Sequence, residues 1–327
     1  MKHISILIPR GAASLGCIEG AHKMFFNVNR FLIDRGDDPL FTIQLVGLTH
    51  DAMVYDGFCK VTPDLSIQDH FKTDLIIIPA VNGEMDKVIA ANSDFFPWIR
   101  EQYERGAEVA SLCVGAFLLA ATGLVEGKKC STHWQFEHLF RKMFPNVEMV
   151  SDRIITDENR TYSSGGANSF WNLLLYLVEK YTDREMAIFC SKYFAIEIDR
   201  FSQSPFIMFR GQRDHQDDDI KRAQDFIERN FQERISVDQL ASLCTMGRRS
   251  FERRFKKATS NTVSEYIQRV KIEAAKKGFE TSRKNINEVM SEVGYMDNKA
   301  FRTVFKRKTG LSPVEYRNKY NKEAIAV

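Results

Sequence analysis

The residue best placed to do chemistry is Cys113. In EVASLCVGAFLLAATGLVEG (108–127) it stands where an apolar, strand-like run gives way to a helical one, and Gly115 and Ala116 leave room for a sharp turn. A thiol at a helix N-terminus has a lowered pKa, and the thiolate is the nucleophile. Strand, turn and helix in this order are the layout of a nucleophile elbow. A lone cysteine is more commonly a small buried hydrophobe, and spacing alone favours that reading. A nucleophile also needs a base within reach, for which His133 is the candidate. The six cysteines (17, 59, 113, 130, 190, 244) contain no CxxC pair. Such spacing suits free thiols in a reducing cytosol and argues against a disulfide framework or a zinc site. His133 and His138 are five apart, so they do not stack on one helix face as metal ligands would. No metal and no cofactor is expected. Trp98, Trp134 and Trp171 offer either an aromatic wall for a cationic ligand or, more commonly, core.

A second set of residues points to nucleic acid. SFERRFKKATSNTVSEY (250–266) lies over AFRTVFKRKTGLSPVEY (300–316) at an offset of 50 without a gap. Phe251/Phe301, Phe255/Phe305, Lys256/Lys306, Thr259/Thr309, Glu265/Glu315 and Tyr266/Tyr316 are identical. Upstream, VDQLASLCTMG (237–247) matches NEVMSEVGYMD (287–297) in apolar pattern, with Met246 over Met296. Internal duplication implies two related units. Each reads as a short helix, a tight break and a second helix with Phe at i and i+4 on its inner face. The outer face is basic: Arg248, Arg249, Arg253 and Lys256 in the first unit; Lys299, Arg302 and Lys306 in the second, with Asn298 beside them as a further candidate for DNA contact. Helix–turn–helix units of this kind fit major-groove docking, with Arg reading guanine and Lys neutralising phosphate. Basic runs are often only solvated faces; two in register on corresponding helices favour double-stranded DNA. Residues 264–280 contain strong helix formers and predict one connecting helix.

Charge agrees. From Gln216 to Val327 there are 24 Lys+Arg and 16 Asp+Glu, a net of +8. The remaining 215 residues have 46 − 24 = 22 basic and 43 − 16 = 27 acidic residues, a net of −5. Only the C-terminal part is suited to a polyanion.

GYMDNKAFRTVFKRKTGLSPVEYR (294–317) resembles the signature region of AraC/XylS-type regulators, and the resemblance covers about 220–320. It implies two recognition helices in adjacent major-groove segments, with DNA contact by the residues before and within SFERRFKK and KAFRTVFK. It also leans toward activation, with RNA polymerase as a partner. The chain departs from the pattern at Thr303, where the family often has Arg, and at Ser260–Val263, where it often has Gly-x-x-Pro. SLCVGAFLLAATGLVEGKKCSTHW (111–134) resembles the ThiJ/PfpI branch of the class I glutamine-amidotransferase-like superfamily, closest to regulators that fuse such a domain to an AraC-type one. A weaker likeness runs from ILIP to about Lys180 and through QSPF (203–206). By this resemblance Cys113, Val114, His133, Gly165 and Gly166 line a ligand pocket, together with backbone after Pro79. The same comparison argues against catalysis: enzymatic members commonly have His after the cysteine, where this chain has Val114, and a Glu where it has Cys17. Trp171 stands where related regulators often have Asp. The effector implied is a small nitrogen compound such as an amino acid or a quaternary amine. A Cys113-dependent hydrolase or amidase, or a redox sensor, are the competing readings.

These residues need elements to hold them. ISILIP (4–9), FTIQLVGL (41–48), DLIIIPA (74–80) and EVASLC (108–113) are near-continuous apolar runs, as for parallel strands covered on both faces. Helical stretches cover 19–34, 84–105 and 115–122. The expected fold is a doubly wound, mostly parallel α/β sheet of flavodoxin-like, ThiJ/PfpI type followed by an all-α tandem helix-turn-helix domain. At 327 residues two domains are the natural count: a sensor over 1–185, a connector over 186–219 with the boundary near 211–219, and a DNA-binding domain over 220–327. MKHISILIPR has too short an apolar run for a secretory leader, and no run reaches the ~18 residues of a membrane span. The expectation is a cytoplasmic, nucleoid-associated protein. The apolar part of 186–209 leaves room for a homodimer.

Overall fold

The computed structural model describes residues 1–321 apart from Asp56, Phe58 and Asp199; the end of the expected DNA-binding domain, 322–327, lies outside the described residues. The chain forms two compact units, the first ending at Gln203 and the second beginning at Ser204.

The first unit is built on a seven-stranded sheet. Its strands are β1 (Lys2–Ile8), β2 (Phe41–Gly47), β3 (Leu65–Ser66), β4 (Leu75–Ile78), β5 (Glu108–Ser111), β6 (Ile155–Glu158) and β7 (Thr161–Ser164), in the order β6-β7-β5-β4-β1-β2-β3. All neighbours are parallel except the β6–β7 hairpin at one edge. The four apolar runs supply β1, β2, β4 and β5, and Ile4 sits opposite Ile43 on one side and Leu75 on the other. β6 and β7 read ITDE and TYSS, too polar to announce themselves as strands by apolar patterning.

The helices of this unit are α1 (Leu15–Asp34), α2 (Met85–Ala91), α3 (Phe95–Glu104), α4 (Ala116–Ala121), α5 (Glu137–Met143), α6 (Phe170–Tyr181) and α7 (Arg184–Tyr193). The stretch 84–105 is thus two helices. They part at Asn92, which is buried and bonds both the Val88 carbonyl and the backbone of Arg10. A side chain that bonds backbone in this way competes with helix continuation.

The expected connector is divided between the units, and the boundary falls before 211–219. Helix α7 starts at a cap in which Asp183 accepts the Met186 N–H, and it packs on α6 as part of the first unit. Gln203 is anchored there too. From Ser204 onward the chain belongs to the second unit: the Lys276 ammonium bonds the Ile207 carbonyl, and the Phe209 N–H bonds Glu273. Residues 210–219 are polar and without apolar periodicity, the pattern of a linker, but they are tied into the second unit: Gln224 donates to the Gln212 carbonyl and Asp217 caps α8.

The second unit is all helical: α8 (Asp218–Asn230), α9 (Val237–Leu243), α10 (Arg248–Thr259), α11 (Val263–Thr281), α12 (Ile286–Glu292), α13 (Asn298–Thr309) and α14 (Pro313–Tyr320). Helix α11 is the connecting helix. It starts with a capping box, Thr262 with Glu265, and α14 repeats the device with Ser312 and Glu315. The duplication extends to ring geometry. Phe251 and Phe255 lie 5.6 Å apart at 49°, as do Phe301 and Phe305. Tyr266 meets Phe255 edge-on at 5.3 Å, and Tyr316 meets Phe305 at 5.5 Å. Each tyrosine hydroxyl donates to a glutamate, Glu228 or Glu280.

One correspondence from the sequence needs correcting. Upstream of the recognition helices the repeat runs at 49, not 50: α9 begins at Val237 and α12 at Ile286. The Met246 N–H bonds Ala241 in the way the Tyr295 N–H bonds Met290. Met246 therefore matches Tyr295, both packed against their own cores. Met296 is an inserted residue and is 96% exposed. Apolar pattern cannot place a one-residue insertion inside a turn, since a turn has no period.

Candidate sensor pocket and DNA interface

Cys113 leaves the C-terminal end of β5 with φ of +54°, a left-handed conformation that a non-glycine residue adopts only when its surroundings enforce it. Three contacts enforce it. The Cys113 N–H donates to Ser164 Oγ at 3.1 Å, and the Thr132 hydroxyl donates to the Cys113 carbonyl at 3.0 Å. A Cβ at Gly115 would stand 2.6 Å from both the Ile78 and Pro79 carbonyl oxygens, so only glycine fits there. The elbow thus lies beside the end of β4, where the strand order turns back across β1, the usual ligand crevice of such sheets.

The thiol is not activated. Burial pushes the Cys113 thiol up to about 12, and the neighbouring Cys17 thiol adds to the rise. The Val114 N–H points at the sulfur and acts the other way, but desolvation is larger. The lowered pKa expected from a helix N-terminus is therefore overridden. Cys17, at the position where enzymatic members have Glu, is buried and its own pKa is raised by desolvation. His133 Nδ1 accepts the Gln135 N–H at 3.2 Å, and burial holds its pKa below the usual histidine value. Among the described residues no hydrogen bond joins His133 to the thiol.

Val114 is buried in the core beside the elbow, and Gly165 and Gly166 follow β7. A Cβ at Gly165 would lie 2.2 Å from Gln203 Nε2 and 2.6 Å from Ser131 Oγ, so these side chains close directly over its backbone. Ser131, Thr132, Ser164 and Gln203 join the site without standing out in the sequence as nucleophiles or bases. The signal was a concentration of small polar residues, CST and SSGG, at two strand ends. The tryptophans form no common wall: Trp98 packs with Phe71, Trp134 with His133, and Trp171 between Phe170 and Phe194.

On the second unit, Phe251, Phe255, Phe301 and Phe305 are fully buried, and the opposite faces of α10 and α13 are exposed. Arg249, Arg253 and Lys256 are exposed without an ion pair among the described residues, as are Lys299, Arg302 and Lys306. Arg248 differs, pairing with Asp238 at 3.2 Å and Glu252 at 3.6 Å. Asn298 Nδ2 donates to Asn287. Arg254, on the same helix, turns away from that face and bonds Asp217 at 2.7 and 2.9 Å and Asp219 at 3.1 Å. Asp217 caps α8, and the guanidinium beside it holds its carboxyl below the usual range.

Comparison with known proteins agrees with both halves. Residues 39–180 match the DJ-1/PfpI family, and residues 240–319 match a helix-turn-helix domain. The chain joins a DJ-1/PfpI domain to an AraC-type helix-turn-helix domain. It is similar to the HTH-type transcriptional regulator GbdR of Pseudomonas aeruginosa, at 26% identity over 80% of this chain and 70% of that one. Similarity to the HTH-type transcriptional regulator CdhR of the same species is 20%, over 95% of this chain and 90% of that one. The chain is similar in fold to a solved ThiJ/PfpI family protein from Pseudomonas syringae, with TM-score 0.50 and 14% identity over 74% of this chain and 90% of that one. This chain, with its AraC-type domain, is a DNA-binding transcription regulator, and its DJ-1/PfpI domain serves mainly as a sensor. Among the described residues no helix is long and apolar enough to cross a membrane.

Proposed function

We propose that this AraC-type regulator activates transcription when a small nitrogen-containing effector occupies the pocket at Cys113, Val114, His133, Gly165 and Gly166. Arg248, Arg249, Arg253 and Lys256, with Asn298, Lys299, Arg302 and Lys306, contact double-stranded DNA. The observation that carries this reading is the pair of corresponding helices, each with two phenylalanines buried on one side and, on the other, exposed basic residues of which all but Arg248 have no ion pair among the described residues. Such cations have no ion pair to break before meeting a polyanion, and the counterions they displace from DNA give salt-dependent affinity. RNA polymerase is the partner of the activation step, and the place of work is the cytoplasm, at the nucleoid. The raised Cys113 pKa supports a binding role for the elbow over a nucleophilic one.

The protein acts as a homodimer in this reading. Phe26 and Ile33 on α1 and Phe189 and Tyr193 on α7 are exposed. The groove nearby, about 340 Å³, is also lined by Asp34, Arg35, Glu185 and Lys192. An apolar centre with charges of both signs at its rim can pair with its own copy.

The test is selection of genomic fragments by the full-length protein, followed by sequencing. The expected result is one sharp motif beside a few operons, with affinity that falls steeply with salt. Arg253→Ala and Arg302→Ala should each weaken the selected site by about 1–3 kcal/mol. Enrichment no better than random DNA, with and without the small molecules used by neighbouring genes, would sink the reading.

A further inference from the structure

The connection between the units carries an unexplained polar atom. Gln203 is the last residue of the first unit and is 1% exposed. Its Nε2 donates to the Thr132 carbonyl at 3.1 Å and the Arg153 carbonyl at 3.2 Å, and lies 3.5 Å from Ser131 Oγ. Two carbonyl acceptors fix the amide orientation, because a flipped amide would set oxygen against oxygen. The Oε1 atom is then buried without a hydrogen-bond partner among the described residues. Buried acceptors of this kind are rare and call for an explanation.

The surroundings say what would satisfy it. Oε1 lies beside Gly166, 3.8 Å from where a Cβ would stand there. Thr132, which receives the other end of the amide, bonds the Cys113 carbonyl. Gln203 therefore lies beside the elbow, at the pocket proposed above. A buried neutral acceptor is satisfied by a hydrogen-bond donor, and for the nitrogen-containing effector proposed above that donor is an N–H. A quaternary ammonium nitrogen has no N–H to give.

We propose that Gln203 Oε1 accepts a hydrogen bond from an N–H of the effector, which places the ligand among primary or secondary amines and amides, amino acids included, and excludes quaternary amines. This deepens the pocket assignment made above and rests on it. The position of Gln203 also suits it to report occupancy. The next residues, Ser204–Phe206, are held in the second unit against the C-terminal end of α13, where Ser204 and Pro205 border Gly310, and Tyr320 donates to the Pro205 carbonyl. An atom that reads the ligand thus lies one peptide bond from a turn docked on the second recognition helix.

The test uses the full-length protein and a thermal-shift panel of amino acids, primary amines and amides, each beside its N-permethylated counterpart. The tightest binder and its counterpart are then compared by calorimetry, and the complex is crystallised. Permethylation should weaken binding at least tenfold, because a site built around a buried acceptor rejects an analogue that leaves it unpaired. In Gln203→Met, with folding checked by circular dichroism, the gap should shrink below threefold. Equal affinity of the pair in the wild type, or a gap that survives Gln203→Met, overturns the proposal. If the variant does not fold, the wild-type pair and the complex still decide. A ligand seated at Gly165–Gly166 with its nitrogen turned from Gln203 overturns this inference alone. A ligand bound elsewhere, or a panel with no binder, overturns the pocket assignment and this inference with it.

Discussion

The two helix–turn–helix units are near copies that solve the same problems with different residues. Both bury Phe pairs, both close the recognition helix with a left-handed residue, and both cap the next helix with a Ser/Thr–Glu box. In the second unit the left-handed positions are glycines, Gly294 in the turn and Gly310 at the helix end. In the first they are Thr245 and Ser260, at φ of +54° and +55°. At the equivalent of Val304, which packs into the second core, the first unit has Arg254, bonded to the cap of α8. One fold therefore tolerates backbone strain in one copy and electrostatic rather than apolar fastening. What the copies share residue for residue is the Phe–Tyr core, which identifies it as the part that the architecture requires; the exposed faces share Arg249/Lys299 and Lys256/Lys306 but differ at Arg248/Asn298, Glu252/Arg302 and Arg253/Thr303.

The comparison breaks most visibly in the cores. Phe255→Ala and Phe305→Ala should each cost about 3–5 kcal/mol, since both rings are fully buried among aromatic neighbours. Hydrogen exchange should show the loss concentrated in α9–α10 for the first and in α12–α13 for the second, because the two clusters are separate. Equal loss of protection in both units from either change would mean that they are one cooperative core. Next is Gly294→Ala. Its Cβ would lie 1.9 Å from the Gln232 carbonyl oxygen, on a backbone at φ +73°. A cost of about 2 kcal/mol or more is expected from denaturant unfolding. A neutral result would show that the second turn can relax toward the form seen at Thr245.

The Arg254 fastening has a pH signature. Asp217 has a folded pKa below its unfolded value, so its contribution is present above the unfolded pKa, about 4. It is lost as pH falls through the folded value. Arg254→Leu should therefore lower the melting temperature at pH 7 by less than Gly294→Ala does, and the difference from wild type should vanish on acidification below about 4. It should also narrow in high salt. A pH-independent deficit would mean that Arg254 acts by packing its stem and not through the ion pairs.

How much of this was legible in the sequence depended on period. The repeat, the connecting helix 264–280 and the four apolar strands were readable because burial imposes a regular spacing. The hairpin Ile155–Ser164 was not, because its strands are polar: Thr156 bonds Ser163 across the pair and Asp157 accepts from Tyr176 of α6. The turn insertion at Met296 was not, because turns have no period. The elbow at Cys113 was visible as a strand–turn–helix pattern, but the state of its thiol was not. Whether a helix N-terminus or burial wins depends on neighbours far away in sequence, such as Cys17. Gln203 opens the QSPF stretch of the resemblance, but its role was not legible there, because it comes from carbonyls at Thr132 and Arg153 that only the fold brings to it.

The smallest effect sharpens the comparison most. Thr245→Gly should stabilise the first unit by up to about 1 kcal/mol in its folded state, because it removes a side chain from a left-handed residue. Glycine also makes the unfolded chain more flexible, which costs a similar amount, about 0.5–1 kcal/mol. The net change should therefore be near zero, whereas the reverse exchange at the matching site, Gly294→Thr, should be strongly destabilising because of Gln232. Thr245 itself is exposed. If Thr245→Gly instead costs well over 1 kcal/mol, its side chain does something in the first turn that the second turn does without, and the two units are less alike than their cores suggest.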